Sequence, residues 1–152
     1  MRPVQFISLL IFGALLTAVS ICSPDTLANN QFLDEFVNHE YINVIAVIVT
    51  VSLVSVTQIH LEYSRIERRF DVRVFGEARS TINLGALILT SMLLLAFLIS
   101  FVRAEVAANP VQLSLAHGAA LLTILTAVFI MYDLVRTVYV LAAEEPVGKD
   151  EQ

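Results

Sequence analysis

Charge is scarce in this chain. Asp, Glu, Lys and Arg make up 15% of it, against ~25% in ordinary soluble domains. Cysteine is scarcer: Cys22 stands alone, which excludes an internal disulfide framework and a cysteine-based metal site. A surplus of positive charge is also missing. The net charge of −5 argues against a nucleic-acid binder. Catalytic signatures are lacking too. There is no G-x-S-x-G, no Gly-rich phosphate loop and no H-E-x-x-H, and no facing carboxylate pair falls inside an apolar run. Nor is there an internal repeat, a low-complexity tract or an N-x-S/T acceptor.

What remains is apolar. Hydrophobic side chains account for 57% of 152 residues, and the mean hydropathy is +0.78. They fall into long unbroken runs, which points to lipid as the solvent. The expected fold is all-α: an integral membrane four-helix bundle, with spans at about 4–22, 41–61, 81–102 and 112–133.

The first run, Val4–Cys22, follows Arg2. A secretory signal has a similar positive start and apolar core, but here the core is long and its exit, LTAVSICSPD, lacks an A-x-A-like site. A retained transmembrane helix is expected. Gly13 and Thr17, with Ala14 and Ala18, put small residues on one side, where another helix can approach closely. Residues 24–40 form an acidic outer loop. Within it QFLDEFV predicts a short amphipathic helix, capped by Asn30, with Asp34 and Glu35 on the wet side. It lies on the membrane surface or packs on the bundle. His39 and Glu40, with those two acids, lack a repeated ligand spacing, so no metal is expected there.

The second run, Tyr41–Leu61, is rich in Val and Ile. In water this composition favours a strand, but a lone strand in hydrocarbon leaves its backbone unpaired, so a helix is predicted. Ser52, Ser55 and Gln58 share a face with Glu62, Arg65 and Arg69. They either form a polar seam between helices or along a pore, or satisfy their own helix backbone. His117, about five residues into the fourth span and beside Gly118, Ala119 and Ala120, is expected to hydrogen-bond across a helix interface as a neutral ring; an intramembrane functional role is the alternative.

Residues 62–80, EYSRIERRFDVRVFGEARS, form the one strongly charged stretch between apolar runs and carry Arg65, Arg68, Arg69, Arg73 and Arg79. As a continuation of the second helix, Tyr63, Ile66 and Phe70 make an apolar ridge, Arg65, Arg69 and Arg73 a basic one, and Glu67 and Asp71 an acidic one. The period-2 pattern of Phe70–Phe75 also fits an extended segment. Gly76 permits the turn into the third span, and Ser80 can cap it. A helix over 112–141 is ~45 Å long at ~1.5 Å per residue, against a hydrocarbon core of ~30 Å. The second and fourth helices should therefore extend past the membrane. Their apolar ridges are expected to pack as a stalk, Tyr63, Ile66 and Phe70 against Val135, Val138 and Tyr139, within one chain or between subunits. Asp133 and Arg136 can pair at i, i+3, and 143–152 reads as a flexible tail.

Four spans put both termini on one side. Taking that side as cytoplasmic collects Arg2, the five central arginines, Arg136 and Lys149, and leaves only Arg103 outside. The positive-inside rule thus predicts a multi-pass membrane protein with both termini cytoplasmic. Without midplane acids or broken helices, ion- or proton-coupled transport has little support. The expected function is a non-catalytic subunit without cofactors. It would be homo-oligomeric, would sense or anchor at the bilayer, and would bind a cytoplasmic protein through Arg65, Arg68, Arg69 and Arg73, with no direct nucleic-acid contact. The alternative is a small oligomeric channel lined by Ser52, Ser55, Gln58 or His117. A third reading has Arg65, Arg69 and Arg73 meeting anionic lipid.

The plan of four spans, short outer loops and a basic inner segment EYSRIERRF resembles the small membrane subunit of the Kiwa anti-phage system, which works with a cytoplasmic DNA-binding partner. That resemblance implies a homo-oligomeric sensor of phage infection at a bacterial inner membrane. It implies no catalytic residues.

Overall fold

The computed structural model describes residues 3–70 and 75–143. Arg2, Arg73, Asp71, the Phe70 side chain and the tail from 144 onward lie outside the described residues, as does the extended reading of 71–74. The order is α1 (Pro3–Cys22), α2 (Asp25–Ala28), α3 (Gln31–Glu35), a π-helical turn (Phe36–Glu40), α4 (Tyr41–Phe70), α5 (Gly76–Val106) and α6 (Pro110–Ala143). There is no strand among the described residues. Four helical runs are long and apolar enough to cross a membrane: α1, the run from α3 through α4, α5 and α6. They give the chain the form of a multi-pass membrane protein. The β-branched α4 is helical throughout, as hydrocarbon requires of a backbone with no other partner.

The helices do not share burial equally. The most apolar windows of α4 and α6 are 39% buried, those of α5 and α1 only 11% and 6%. α6 is the hub and packs against α1, α2, α4 and α5. α4, α5 and α6 pack mutually into a three-helix core, and α1 leans on the far side of α6. The arrangement is thus three helices plus one, not an evenly closed ring of four. Lipid tails are as apolar as leucine, so close van der Waals packing rather than water exclusion holds such helices together. The core shows how: Ala96, Ala120 and Ala127 are fully buried among Ile45, Ile59 and Leu89, so small side chains bring the backbones close.

α1 meets α6 through glycine. A Cβ on Gly13 would touch the end of Leu122 at 3.6 Å, and one on Gly118 would lie 3.6 Å from Ser20 Oγ and 3.7 Å from Leu16 Cβ. Of the small face expected on α1, Gly13 thus meets a helix of the same chain, while Ala14, Thr17 and Ala18 are exposed.

Two boundaries differ from expectation. The segment 31–40 is not a separate surface helix. Asn30 does cap α3, its Oδ1 accepting from Leu33 N at 3.1 Å, but the helix continues through the π turn into α4. Buried Leu33, Val37, Tyr41 and Ile45 follow one another at steps of four. In a regular helix each such step drifts by about 40°; the widened π turn absorbs part of that drift and keeps them on one face. The second helix continues to Phe70, as expected, but α5 begins at Gly76, so Ser80 lies inside α5 and does not cap it.

Candidate functional site

Polar side chains gather at the two ends of the bundle. At the α4–α5 end, helical phase brings Ser64 and Glu67 of α4 toward Phe75 and Arg79 of α5. Glu67 pairs with Arg79 at 2.9 Å and accepts the Phe75 N–H at 3.3 Å. Arg79 also donates to Ser64 Oγ at 3.0 Å. The rings of Tyr63 and Phe75 stack with centroids 4.5 Å apart and planes within 4°. One helical turn deeper, His60 Nε2 lies 2.8 Å from Asn83 Oδ1. These contacts brace the neck between the helices. Two of its acids are engaged within the chain, Glu62 with Arg65 at 3.2 Å and Glu67 with Arg79, while Glu77 is exposed. Arg65, Arg68 and Arg69 are exposed, and Arg68 Nε rests on the Ser64 carbonyl at 3.2 Å.

The residues expected to form a stalk divide. Tyr63 is buried and joins the core cluster, with Val138 packed against it. Ile66 and Val135 are half-buried, and Tyr139 is exposed. Leu134, not Tyr139, is the buried residue of α6 at this level. Asp133 accepts the Gln5 amide of α1 at 2.9 Å, while Arg136 stays exposed. Ser52 and Ser55 are buried, yet both hydroxyls turn to their own helix, donating to the Ile48 carbonyl at 2.7 Å and the Val51 carbonyl at 3.1 Å. Gln58 is exposed, so the three do not form one buried seam.

The α2–α3 end holds a cluster that the sequence did not reveal as such. His117 of α6 is fully buried. Its Nδ1 lies 2.9 Å from the Leu27 carbonyl of α2, and its Nε2 lies 3.3 Å from Arg103 Nε of α5. Arg103 also donates from Nη2 to Asp34 Oδ1 of α3, and that oxygen is 4.0 Å from His117 Nε2. Asp34 was expected on the wet side with Glu35; Glu35 is exposed, and Asp34, its side chain still 48% exposed, reaches Arg103 at the edge of the cluster. The π turn supplies the reason: it resets the helical phase between α3 and α4. Arg103 read in the sequence as the lone outer cation. Its one cue was its isolation, since a solitary arginine beside an apolar span needs an anion.

Among the described residues no three His, Cys, Asp or Glu side chains come together as metal ligands; His39 instead meets the Asn38 amide at 3.3 Å. No protein-family model, curated protein or solved structure matches the chain.

Proposed function

We propose that this chain is a non-catalytic, homo-oligomeric subunit of a bacterial inner membrane. It would sense or anchor at the bilayer and dock a soluble cytoplasmic protein on the neck between α4 and α5. The observation that carries the reading is the state of that neck. Glu67 is engaged within the chain by Arg79, and the Tyr63–Phe75 stack braces the neck, while Arg68 and Arg69, with Arg65 paired to Glu62 beside them, present exposed guanidinium groups on a helix end. Guanidinium groups held on a rigid element suit planar recognition of carboxylates or phosphates. The orientation rests on charge: with the neck inside, eight of nine basic residues are cytoplasmic. The faces that α1 and α5 leave uncovered, among them Phe6, Leu10, Leu94 and Phe101, offer apolar area to other copies or to lipid. The resemblance to the Kiwa membrane subunit supports the same reading and would make phage infection the stimulus.

The test is reconstitution in nanodiscs with the soluble protein encoded beside this chain. Co-elution should be lost when Arg65, Arg68, Arg69 and Arg73 are replaced by Glu while far-UV circular dichroism is unchanged. Retention of the partner by the reversed neck refutes docking there. Ion conductance of the purified chain in liposomes would favour the channel instead.

A further inference from the structure

We propose that His117, Arg103 and Asp34 form a proton-operated latch that ties α3, α5 and α6 together in the closed state and frees the end of α5 when His117 takes up a proton. The inference stands on the α2–α3 end alone and does not depend on the docking neck.

Donor and acceptor logic fixes the closed state. The Leu27 carbonyl can only accept, so His117 Nδ1, 2.9 Å away, must carry the hydrogen. Arg103 Nε can only donate, so His117 Nε2, 3.3 Å away, must present its lone pair. The ring is therefore neutral in this arrangement, with its tautomer set by two different helices. A proton arriving at Nε2 occupies the lone pair that Arg103 uses. It places an imidazolium against a guanidinium at hydrogen-bond distance, with a donor facing a donor. One acceptor is at hand for the new N–H: Asp34 Oδ1, 4.0 Å from Nε2 and now engaged by Arg103. Protonated His117 shares the Asp34 carboxylate, which can accept from more than one donor, while Arg103 loses the ring nitrogen and is repelled by the imidazolium beside it. The bond from Nδ1 to Leu27 is untouched, because Nδ1 donates in both states. α2 and α3 therefore stay with α6, and the end of α5 separates from them.

The proton has an entry route. His117 is fully buried, but the Asp34 side chain is 48% exposed, so the cluster meets water at the carboxylate. Among the described residues no other charged side chain bonds the ring. Asp25 of α2 is exposed and joined to Asn29, Glu40 of the π turn and Glu105 of α5 are exposed, α1 presents the Ser20 hydroxyl beside Gly118, and Tyr41 of α4 is buried.

Two measurements test the latch on the full chain in nanodiscs. Ring ¹⁵N spectra at about pH 8 should show His117 as the Nδ1–H tautomer, assigned by its loss in His117→Gln; an Nε2–H tautomer there overturns the proposal. In a Cys22→Ser background, spin labels at exposed Glu35 and Glu105 report the α3–α5 distance, and labels at Gln31 and Gln112 the α3–α6 distance. On acidification from about pH 8 to about pH 5 the first distribution should lengthen and the second stay fixed. In His117→Gln, whose amide oxygen can accept from Arg103 but takes no proton in this range, the first distribution should stay fixed as well. No acid shift in the unmodified chain, or an equal shift in His117→Gln, overturns the latch. His39→Gln and His60→Gln should shift as the unmodified chain does.

Discussion

The α1–α6 joint gives a prediction whose sign reverses with side-chain size at one position. At Gly118 a Cβ falls 3.6 Å from Ser20 Oγ and 3.7 Å from Leu16 Cβ, both ordinary contact distances. Gly118→Ala therefore gains contacts worth ~0.1–0.2 kcal/mol each. It also removes the helix penalty of glycine, about 0.8–1 kcal/mol at most. The expected change is a stabilisation of about 0.5–1 kcal/mol. Gly118→Leu does the opposite. A γ-carbon ~1.5 Å beyond the Cβ, aimed at Leu16, would leave about 2.2 Å of the 3.7 Å, so one helix must give way. α6 is fixed by α4 and α5, whereas the window of α1 is only 6% buried; α1 is the helix that moves. Overpacking of this kind costs about 1–3 kcal/mol. The assay is unfolding in mixed micelles of dodecylmaltoside and dodecyl sulfate, paired with spin labels at exposed Ser8 and Tyr132 in a Cys22→Ser background. Alanine should raise the midpoint and leave the label distance alone; leucine should lower the midpoint and broaden the distance. A leucine variant with an unchanged distance and midpoint would refute the close approach, and an alanine variant destabilised by more than about 1 kcal/mol would show the joint to be tighter than described.

Further expectations follow from the hydrogen bonds. Ser52→Ala and Ser55→Ala should each change the unfolding free energy by less than about 0.5 kcal/mol, because each hydroxyl serves only its own helix; a loss above about 1 kcal/mol in the same micelle titration would show that they bind across helices. Glu67→Ala removes both the Arg79 pair and the acceptor of the Phe75 amide. It should cost about 1–3 kcal/mol and accelerate trypsin cleavage after Arg68 and Arg69, with Glu67→Gln milder because the amide oxygen still accepts from Phe75. Asn30→Ala removes the cap on Leu33 N at a cost of about 0.5–2 kcal/mol, read as faster exchange of the Leu33 and Asp34 amides, roughly fivefold per kcal/mol.

How far the sequence reached depended on whether a feature was local. Hydropathy located the four spans because each helix satisfies its own backbone and needs no distant partner. The Asn30 cap and the small face at Gly13 were legible for the same reason: each is a matter of spacing within one turn or two. The helix boundaries near 31–40 and 76–80 were not, since the charges that read as loop can ride on a helix once it leaves the hydrocarbon. The neck shows the next limit. Glu67 was placed on an acidic ridge and Arg79 among the basic residues of a loop, but their pairing depends on how α4 and α5 face each other across 71–74.

The His117 cluster shows the limit most clearly. A buried histidine beside small residues was expected to bond across a helix interface, and the residue type alone carried that much. Its partners could not be named. Regular α-helical phase, continued from Phe32, Leu33, Phe36 and Val37, sends Asp34 outward. The π turn at Phe36–Glu40 breaks that phase, and no propensity rule marks where a helix will accept an extra residue. Arg103 is separated from Asp34 by 69 residues, and His117 from Leu27 by 90. Their meeting is a consequence of α6 serving as the hub for α2, α4 and α5 at once. The charge count that singled out Arg103 as the lone cation on its side was nonetheless a physical clue. A side chain that is always charged, at the end of an apolar helix, has to be paired by whatever anion the fold can bring. Glu105, two residues on, stays exposed; Asp34 of the acidic segment 24–40 takes the role instead, and the helical phase reset by the π turn is what selects it over Glu35.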